Sequence, residues 1–376
     1  MDAPPIRVLH VLDSLAPGGL ENGVVNVARR LQGNGFDIHA ACLRLRGEFA
    51  ERMPRPDQVA VMGKTQGFSW SAVRALHRHA RKTGAQVLHS HNLGTLIYAA
   101  LASFGGRVWP IVHGEHGQIQ PQDLSPKRIW QRRWFFRLCH SVHVVSGSLK
   151  DNLHALGLDH VPIIVTPNGV DSERFAPSAS KAEARRAAGF DAQDRVIGIV
   201  GRLVALKRHR LLFDAFGKLA PVMPELRLLV VGDGGVEKEN ILQAMHAHPF
   251  SGRIKWVGHQ DDVKPFYQSM DLLAVPSEIE GLSNAVLEAM ACGTPVLGHS
   301  ACGNAEVMRD GENGFLAHLQ TANDLATALR EALSDEAKLA RCAVNARHTV
   351  EQRFSMEAMA ECYRQLYRSA ARSKAS

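Results

Sequence analysis

The segment Ser277 to Pro295, SEIEGLSNAVLEAMACGTP, sets two glutamates on either side of a helix start. The helix opens near Ser283, a residue type that caps N-termini, and stops at Gly293 with Pro295 just beyond. A helix N-terminus presents unpaired N–H groups and partial positive charge, which suits a phosphate or diphosphate. Gly281 lets the backbone approach such a ligand closely. Glu280 stands just before the helix, and Glu288 one to two turns inside it at a rise of about 1.5 Å per residue. One carboxylate can then lie on each side of a bound diphosphate and accept hydrogen bonds from the vicinal hydroxyls of a sugar or ribose. By spacing alone the pair also reads as two helix-surface glutamates, one of them complementing the helix dipole.

A second group follows an apolar run, Gly201-Arg202-Leu203-Val204-Ala205-Leu206-Lys207. Arg offers a rigid fork of donors to phosphate oxygens and Lys a point charge, so the two fit a diphosphate leaving group. Gly232 and Gly258 end two further apolar runs, where a nucleotide could come close; neither run carries the full G-x-G-x-x-G pattern of a dinucleotide site. In the first half, Pro17-Gly18-Gly19 joins a strand to a helix and forms an anion-binding lip. His113-Gly114-Glu115-His116-Gly117 ends another strand, and a histidine beside a glutamate there can orient or polarise a substrate hydroxyl. It also reads as half a metal site, but no third and fourth ligand is identifiable; His89 and His91 carry the same ambiguity. Residues 125–138 interleave five cations with two Trp and two Phe on a helix, which suits an anionic bilayer surface. The same pattern fits a helix that turns its aromatics inward and its arginines outward.

These loops need elements to hold them. Short apolar runs near residues 6–12, 86–89, 109–113 and 141–146 alternate with helical stretches, and the alternation restarts after Pro167-Asn168-Gly169-Val170-Asp171 with runs at 196–201, 227–232, 254–258, 272–275 and 295–298. Continuous apolar strands separated by helices imply parallel sheets covered on both faces, with ligands outside the carboxyl ends of the strands. The predicted architecture is α/β with two Rossmann-like domains, residues 1–170 and 171–354. A terminal helix spans about 355–376, and its local pattern packs it on the second domain.

The 376 residues, 45% hydrophobic and 22% charged, suit two ordinary globular domains and exclude a disordered chain or a disulfide scaffold. The start shows no secretory h-region, and no run is long enough for a membrane span. Six scattered Cys without a C-x-x-C pair read as free thiols in a reducing cytoplasm, with no zinc pattern. The net charge of +7 is uneven: residues 1–170 hold 19 Lys and Arg against 11 Asp and Glu, the rest 25 against 26. The first half is therefore the part expected to meet something anionic.

Taken in order, these strings resemble glycosyltransferase family 4. They are P-G-G-x-E at 17–21, G-E-H-G at 114–117, P-N-G-V-D at 167–171, G-R-L-x-x-x-K at 201–207 and V-G-D-G at 231–234. P-S-x-x-E-G at 276–281, with its later Glu288, C-G-T-P-V at 292–296, G-x-x-E at 303–306 and G-x-x-G at 311–314 complete the set. The likeness is greatest to bacterial members from exopolysaccharide and other surface-glycan clusters. The resemblance implies the GT-B architecture, two facing Rossmann-like domains with a cleft between them. It implies retaining transfer of a hexose from a UDP- or GDP-sugar to a glycan or lipid-linked saccharide, without a metal or other cofactor. It implies that Arg202 and Lys207 stabilise the diphosphate, that Glu280 holds the donor sugar and that Glu288 holds the ribose. Gly201, Gly232, Gly258, Gly281, Leu282 and Ser283 would line the donor, Gly18 and Gly19 would border its phosphates, and His116 would face the reacting sugar. It also implies that the last helix crosses back onto the first domain. With the free thiols and the basic helix at 125–138, the enzyme is expected in the cytoplasm, peripheral at the inner face of the plasma membrane, with no nucleic acid bound. A sugar-nucleotide epimerase of the same fold and a non-catalytic nucleotide-sugar-binding protein remain as alternatives.

Overall fold

The computed structural model describes residues 4–117, 123–278, 281–300 and 303–374. They form two compact units, the first made of residues up to Gly169 together with those from Met356 onward, the second of Val170–Ser355.

In unit 1, seven parallel strands run β1 (Ile6–Ser14), β2 (Phe36–Leu45), β3 (Val59–Val61), β4 (Val87–His91), β5 (Ile111–Glu115), β6 (Ser141–Val144) and β7 (Ile163–Val165). Their order in the sheet is β3-β2-β1-β4-β5-β6-β7. The helices between them are α1 (Gly19–Leu31), α2 (Trp70–Thr83), α3 (Asn92–Ala102), α4 (Pro126–Phe136) and α5 (Gly147–Ala155). Every residue of β4, β5 and β6 is buried, as covering both faces of a parallel sheet requires. The sequence reading passes over β2, because Asp37 and His39 interrupt its apolar run. The sheet accommodates them by pairing: the Asp37 carboxylate accepts from Gln32 and Gln58 and meets His39 at 3.0 Å.

Unit 2 carries six parallel strands, β8 (Arg195–Val200), β9 (Leu226–Val231), β10 (Ile254–Trp256), β11 (Leu272–Val275), β12 (Val296–His299) and β13 (Phe315–Ala317), ordered β10-β9-β8-β11-β12-β13. Its helices are α6 (Lys181–Ala187), α7 (His209–Leu219), α8 (Lys238–His246), α9 (Lys264–Ser269), α10 (Asn284–Ala291), α11 (Ala322–Ser334) and α12 (Glu336–Arg353). In each sheet the order reverses once, at β1/β4 and at β8/β11. The loops on either side splay apart there and leave a crevice outside the carboxyl ends.

The last helix, α13 (Met356–Arg372), belongs to unit 1. Met356, Met359, Tyr363, Leu366 and Tyr367 form its buried face and share one core with Val24, Val27, Ala28 and Leu31 of α1. The local pattern, which put this helix on the second domain, shows an apolar stripe but not what covers it. Leu366 lies in the middle of that stripe. Leu366→Ala should cost about 2–5 kcal/mol of unfolding free energy in unit 1, read by denaturant melts.

Candidate functional site

In unit 2 the loops after β8, β9 and β10 are stacked at the carboxyl edge. The N–H of Gly201 donates to the Val231 carbonyl at 2.9 Å, that of Leu203 to Gly234 at 2.9 Å, and that of Gly232 to Gly258 at 2.8 Å. Gly201, Gly232 and Gly258 all have positive φ, at 153°, 129° and 68°. A side chain at Gly232 would run into the Gly201 carbonyl, and one at Gly201 would come within 3.1 Å of Lys207 Cε. Glycine is therefore favoured at all three positions by conformation, and at Gly232 also by the closeness of the loops. Lys207 closes a short 3-10 turn, Ala205–Lys207, half-buried against this stack, and Arg202 stands exposed beside it.

The loop after β11 meets the same edge, because β11 is the neighbour of β8. Arg208 ties the two loops together: its guanidinium donates to the Pro276 carbonyl at 3.4 Å and pairs with Glu278 at 3.1 Å. Glu280 lies outside the described residues. Gly281, Leu282 and Ser283 are buried, and Ser283 occupies the cap position of α10. Its hydroxyl makes no capping bond, while its N–H reaches Asn304 Oδ1 at 3.4 Å. Glu288, one turn into α10, accepts a hydrogen bond from the Tyr267 hydroxyl at 2.9 Å. Burial pushes its carboxyl up to about 7, against the pull of Tyr267 and Arg174.

In unit 1, Gly18 caps α1 and Gly19 begins it, with Glu21 in the first turn. A cavity of about 240 Å³ lies at the β1/β4 crevice, lined among others by Asp13, Glu21, Lys64, His91, Asn92 and Tyr98. Neither Asp13 nor Lys64 belongs to a motif, so the sequence offers no signal for them. His116 follows β5, and its Nε2 lies 2.8 Å from His91 Nδ1. Glu115, its neighbour in sequence, turns the other way. It meets Arg132 at 3.0 Å and His113 at 3.5 Å inside the core. Burial raises the Glu115 carboxyl, but His113 and Arg132 outweigh this and hold it at about 2.

Two histidines that no motif marked, His10 on β1 and His143 on β6, join His89, His91 and His116. The strand register explains why: His10 pairs with His89, and Gly114 stands between His91 and His143. A side chain at Gly114 would lie 2.5 Å from His143 Nε2 and 2.6 Å from His116 Nε2, so its absence makes room for the rings. Among the described residues, His10, His89 and His91 place ring nitrogens within 4.8 Å of one another, near enough to converge on a metal ion.

Helix α4 departs from the reading that turns its aromatics inward and its arginines outward. Arg132 points inward to Glu115, because that buried carboxylate needs a partner, while Trp130 and Trp134 point outward, 64% and 54% exposed and stacked on each other.

Two family profiles match the chain, "Glycosyltransferase Family 4" over residues 17–174 and "Glycosyl transferases group 1" over 180–349. The lipopolysaccharide core biosynthesis glycosyltransferase LpsE of Rhizobium meliloti is 31% identical over 53% of this chain and 62% of its own length. The D-inositol 3-phosphate glycosyltransferase of Rhodococcus jostii is 34% identical over 57% and 49%. The chain thus spans about half to three-fifths of the length of these curated relatives. Among solved structures, Anabaena Alr3699/HepE in complex with UDP superposes with a TM-score of 0.86 at 23% identity, over 97% of this chain and 100% of that one.

The Glu288 carboxyl gives a check on this geometry. Its native value of about 7 lies above the ordinary 4.5, so between those values the native state holds the extra proton. The contribution of Glu288 to stability is then full below the lower value and is lost as pH rises toward 7. Melting temperatures of Glu288→Gln and the parent, compared from pH 4.5 to 8, should show this loss in the parent and not in the variant.

Proposed function

The chain belongs to the family 4 glycosyltransferases of the GT-B fold, and from that premise we propose that it is a retaining hexosyltransferase. Its donor is a UDP- or GDP-sugar and its acceptor a glycan or lipid-linked saccharide of the cell surface. The observation that carries this reading is the glycine stack of unit 2, which clears the strand ends beside Arg202 and Lys207 at the sheet's reversal point. Two cations there suit a departing diphosphate, because charge that develops in the transition state is where fixed donors help most. The N-terminus of α10, with the backbone of Gly281, Leu282 and Ser283, adds donors to the phosphates. Glu288 takes the ribose hydroxyls and Glu280 those of the sugar. From unit 1, Gly18 and Gly19 border the phosphates and His116 faces the sugar.

In the step itself, the acceptor oxygen bonds to the anomeric carbon as the bond from that carbon to the diphosphate breaks. The electron pair leaves with the diphosphate, whose oxygen takes the acceptor's proton on the same face, so configuration is retained. Arg202 and Lys207 fill the place a divalent cation would otherwise take, and the proposed reaction is unaffected by chelators. The solved HepE complexes, one of them with UDP-glucose, support a nucleotide-sugar donor, and LpsE supports a surface-glycan role.

We also propose that the enzyme works at the cytoplasmic face of the membrane. No described helix is long and apolar enough to cross it. The outward pair Trp130 and Trp134, flanked by exposed Lys127, Arg128, Arg133 and Arg137, suits the interface of an anionic bilayer.

The following outcomes test these readings. In a thermal-shift panel, one of UDP and GDP at about 100 times its Kd should add about 2.7 kcal/mol, and Lys207→Ala should lower kcat about 10²–10³-fold at an unchanged melting temperature. Conversion of the nucleotide-sugar to its epimer without an acceptor would overturn the transferase. In vesicle sedimentation, Lys127→Gln and Arg133→Gln should each lose about 1 kcal/mol of binding to anionic lipid. Trp130→Ala with Trp134→Ala should weaken it further; unchanged sedimentation would leave α4 a solvated surface.

A further inference from the structure

Five histidines of unit 1 form one unbranched hydrogen-bonded chain. His116 Nε2 meets His91 Nδ1 at 2.8 Å, and His91 Nε2 meets His10 Nδ1 at 2.9 Å. His10 Nε2 meets the Tyr367 hydroxyl at 3.3 Å, and that hydroxyl meets His89 Nδ1 at 2.8 Å. His89 Nε2 meets His143 Nε2 at 2.8 Å, and His143 Nδ1 meets Thr166 Oγ1 at 2.6 Å. Nine of the ten ring nitrogens are used in these bonds; the tenth is His116 Nδ1, at the end of the chain.

Burial favours the neutral form of every ring. Burial lowers His10 to about 3 and His116 to about 4, and holds His89, His91 and His143 well below their ordinary value. A neutral imidazole has one donor and one acceptor nitrogen, and the buried Tyr367 hydroxyl satisfies its own proton only by donating to one of its two histidines, so placing one proton places all the others. The Thr166 end decides the direction. A separation of 2.6 Å fits an O–H donor better than an N–H donor. The alternative acceptor for the hydroxyl, the Val144 carbonyl, is 3.5 Å away and already receives the Thr166 N–H at 2.8 Å. Tyr363 also hydrogen-bonds Thr166; the short 2.6 Å contact assigns the Thr166 proton to His143. Thr166 therefore donates to His143 Nδ1, His143 Nε2–H to His89, and His89 Nδ1–H to Tyr367. Tyr367 in turn donates to His10, His10 Nδ1–H to His91, and His91 Nδ1–H to His116 Nε2.

We propose that this relay holds His116 as the neutral Nδ1–H tautomer, so that it offers a hydrogen bond to a sugar oxygen and does not act as a base. The role toward sugar rests on the transferase reading; the tautomer does not. His91, His10, His89, His143, Thr166 and Tyr367 are then positioning residues. Helix α13 takes part in setting the site through Tyr367 within the relay and Tyr363 at its Thr166 end. The competing use of the same side chains is a metal ion at His10, His89 and His91, which would have to break the bonds that join them.

The test is long-range ¹H–¹⁵N correlation on the full chain labelled with ¹⁵N-histidine, with no ligand, where protonated and bare ring nitrogens are well separated. His116 is assigned by the peaks lost in His116→Asn. The expected result is a proton on Nδ1 and none on Nε2. Tyr367→Phe keeps the buried ring but cuts the chain between His10 and His89. It should give His116 a mixture of tautomers, as should Thr166→Val, at melting temperatures that show a folded chain. Ser90→Ala, next to the cluster but outside the chain, should leave His116 unchanged. A proton on Nε2 in the parent, or an unaltered His116 in Tyr367→Phe, would overturn the relay. So would one equivalent of zinc retained after dialysis against zinc chloride and lost in His10→Gln. In the transfer assay, Tyr367→Phe should lower kcat about tenfold, the scale of one hydrogen bond, with KM within about twofold. Loss of transfer chemistry altogether, with the tautomers as expected, would count against the transferase and not against the relay.

Discussion

Burial of both faces of a parallel sheet is the constraint from which the rest of this protein follows. Strands such as β4, β5 and β11 are covered along their whole length. Their backbone polar groups are met by neighbouring strands, and their side chains must pack or be paired. Free polar chemistry is then left to the strand ends. Both sheets reverse their order once, and the residues with chemical potential gather near those reversals: Gly201 to Lys207 and the loop into α10 in unit 2, Gly18, Asp13 and His91 in unit 1. In unit 2 Gly232 leaves the room for its loop to lie on that of Gly201, and positive φ favours glycine at Gly201 and Gly258 as well.

Unit 1 departs from the rule in one way. Five histidines lie within or just beyond strands that should be apolar, and burial of so many polar rings is costly unless each is hydrogen-bonded. The structure meets that demand with a side chain from far along the sequence, Tyr367, and with the gap left by Gly114. The same helix covers α1 with Met359, Leu366 and Ala370, so the apolar closure of unit 1 and the polar closure of its histidine cluster come from one element. Glu115 and Arg132 solve a similar problem on the other face of the sheet. That pair explains why a basic helix buries one of its arginines and exposes its tryptophans.

Much of this was legible in the residues alone. Apolar runs bounded by turn residues located most strands, the restart after residue 170 divided the chain, and the order of short motifs indicated the family. Such features are local: a strand's apolar run, a helix stop or a glycine turn is written in consecutive residues. β2 escaped because Asp37 and His39 are satisfied by partners at Gln32 and Gln58, which no window around the strand reveals as such.

What the tertiary structure decided is which distant residues meet. Parallel register put His10 opposite His89 and left a glycine between His91 and His143. The return of the chain at Met356 placed α13 on unit 1, where its own stripe named no partner. Burial pushes the Glu288 carboxyl up to about 7, against its hydrogen bond from Tyr267, where the helix position alone reads as an ordinary glutamate. Sequence by itself determined the elements and the candidate chemistry, because periodicity and turn residues act over a few positions. Register, desolvation and hydrogen-bond direction depend on neighbours tens to hundreds of residues away, and only the folded chain supplies them.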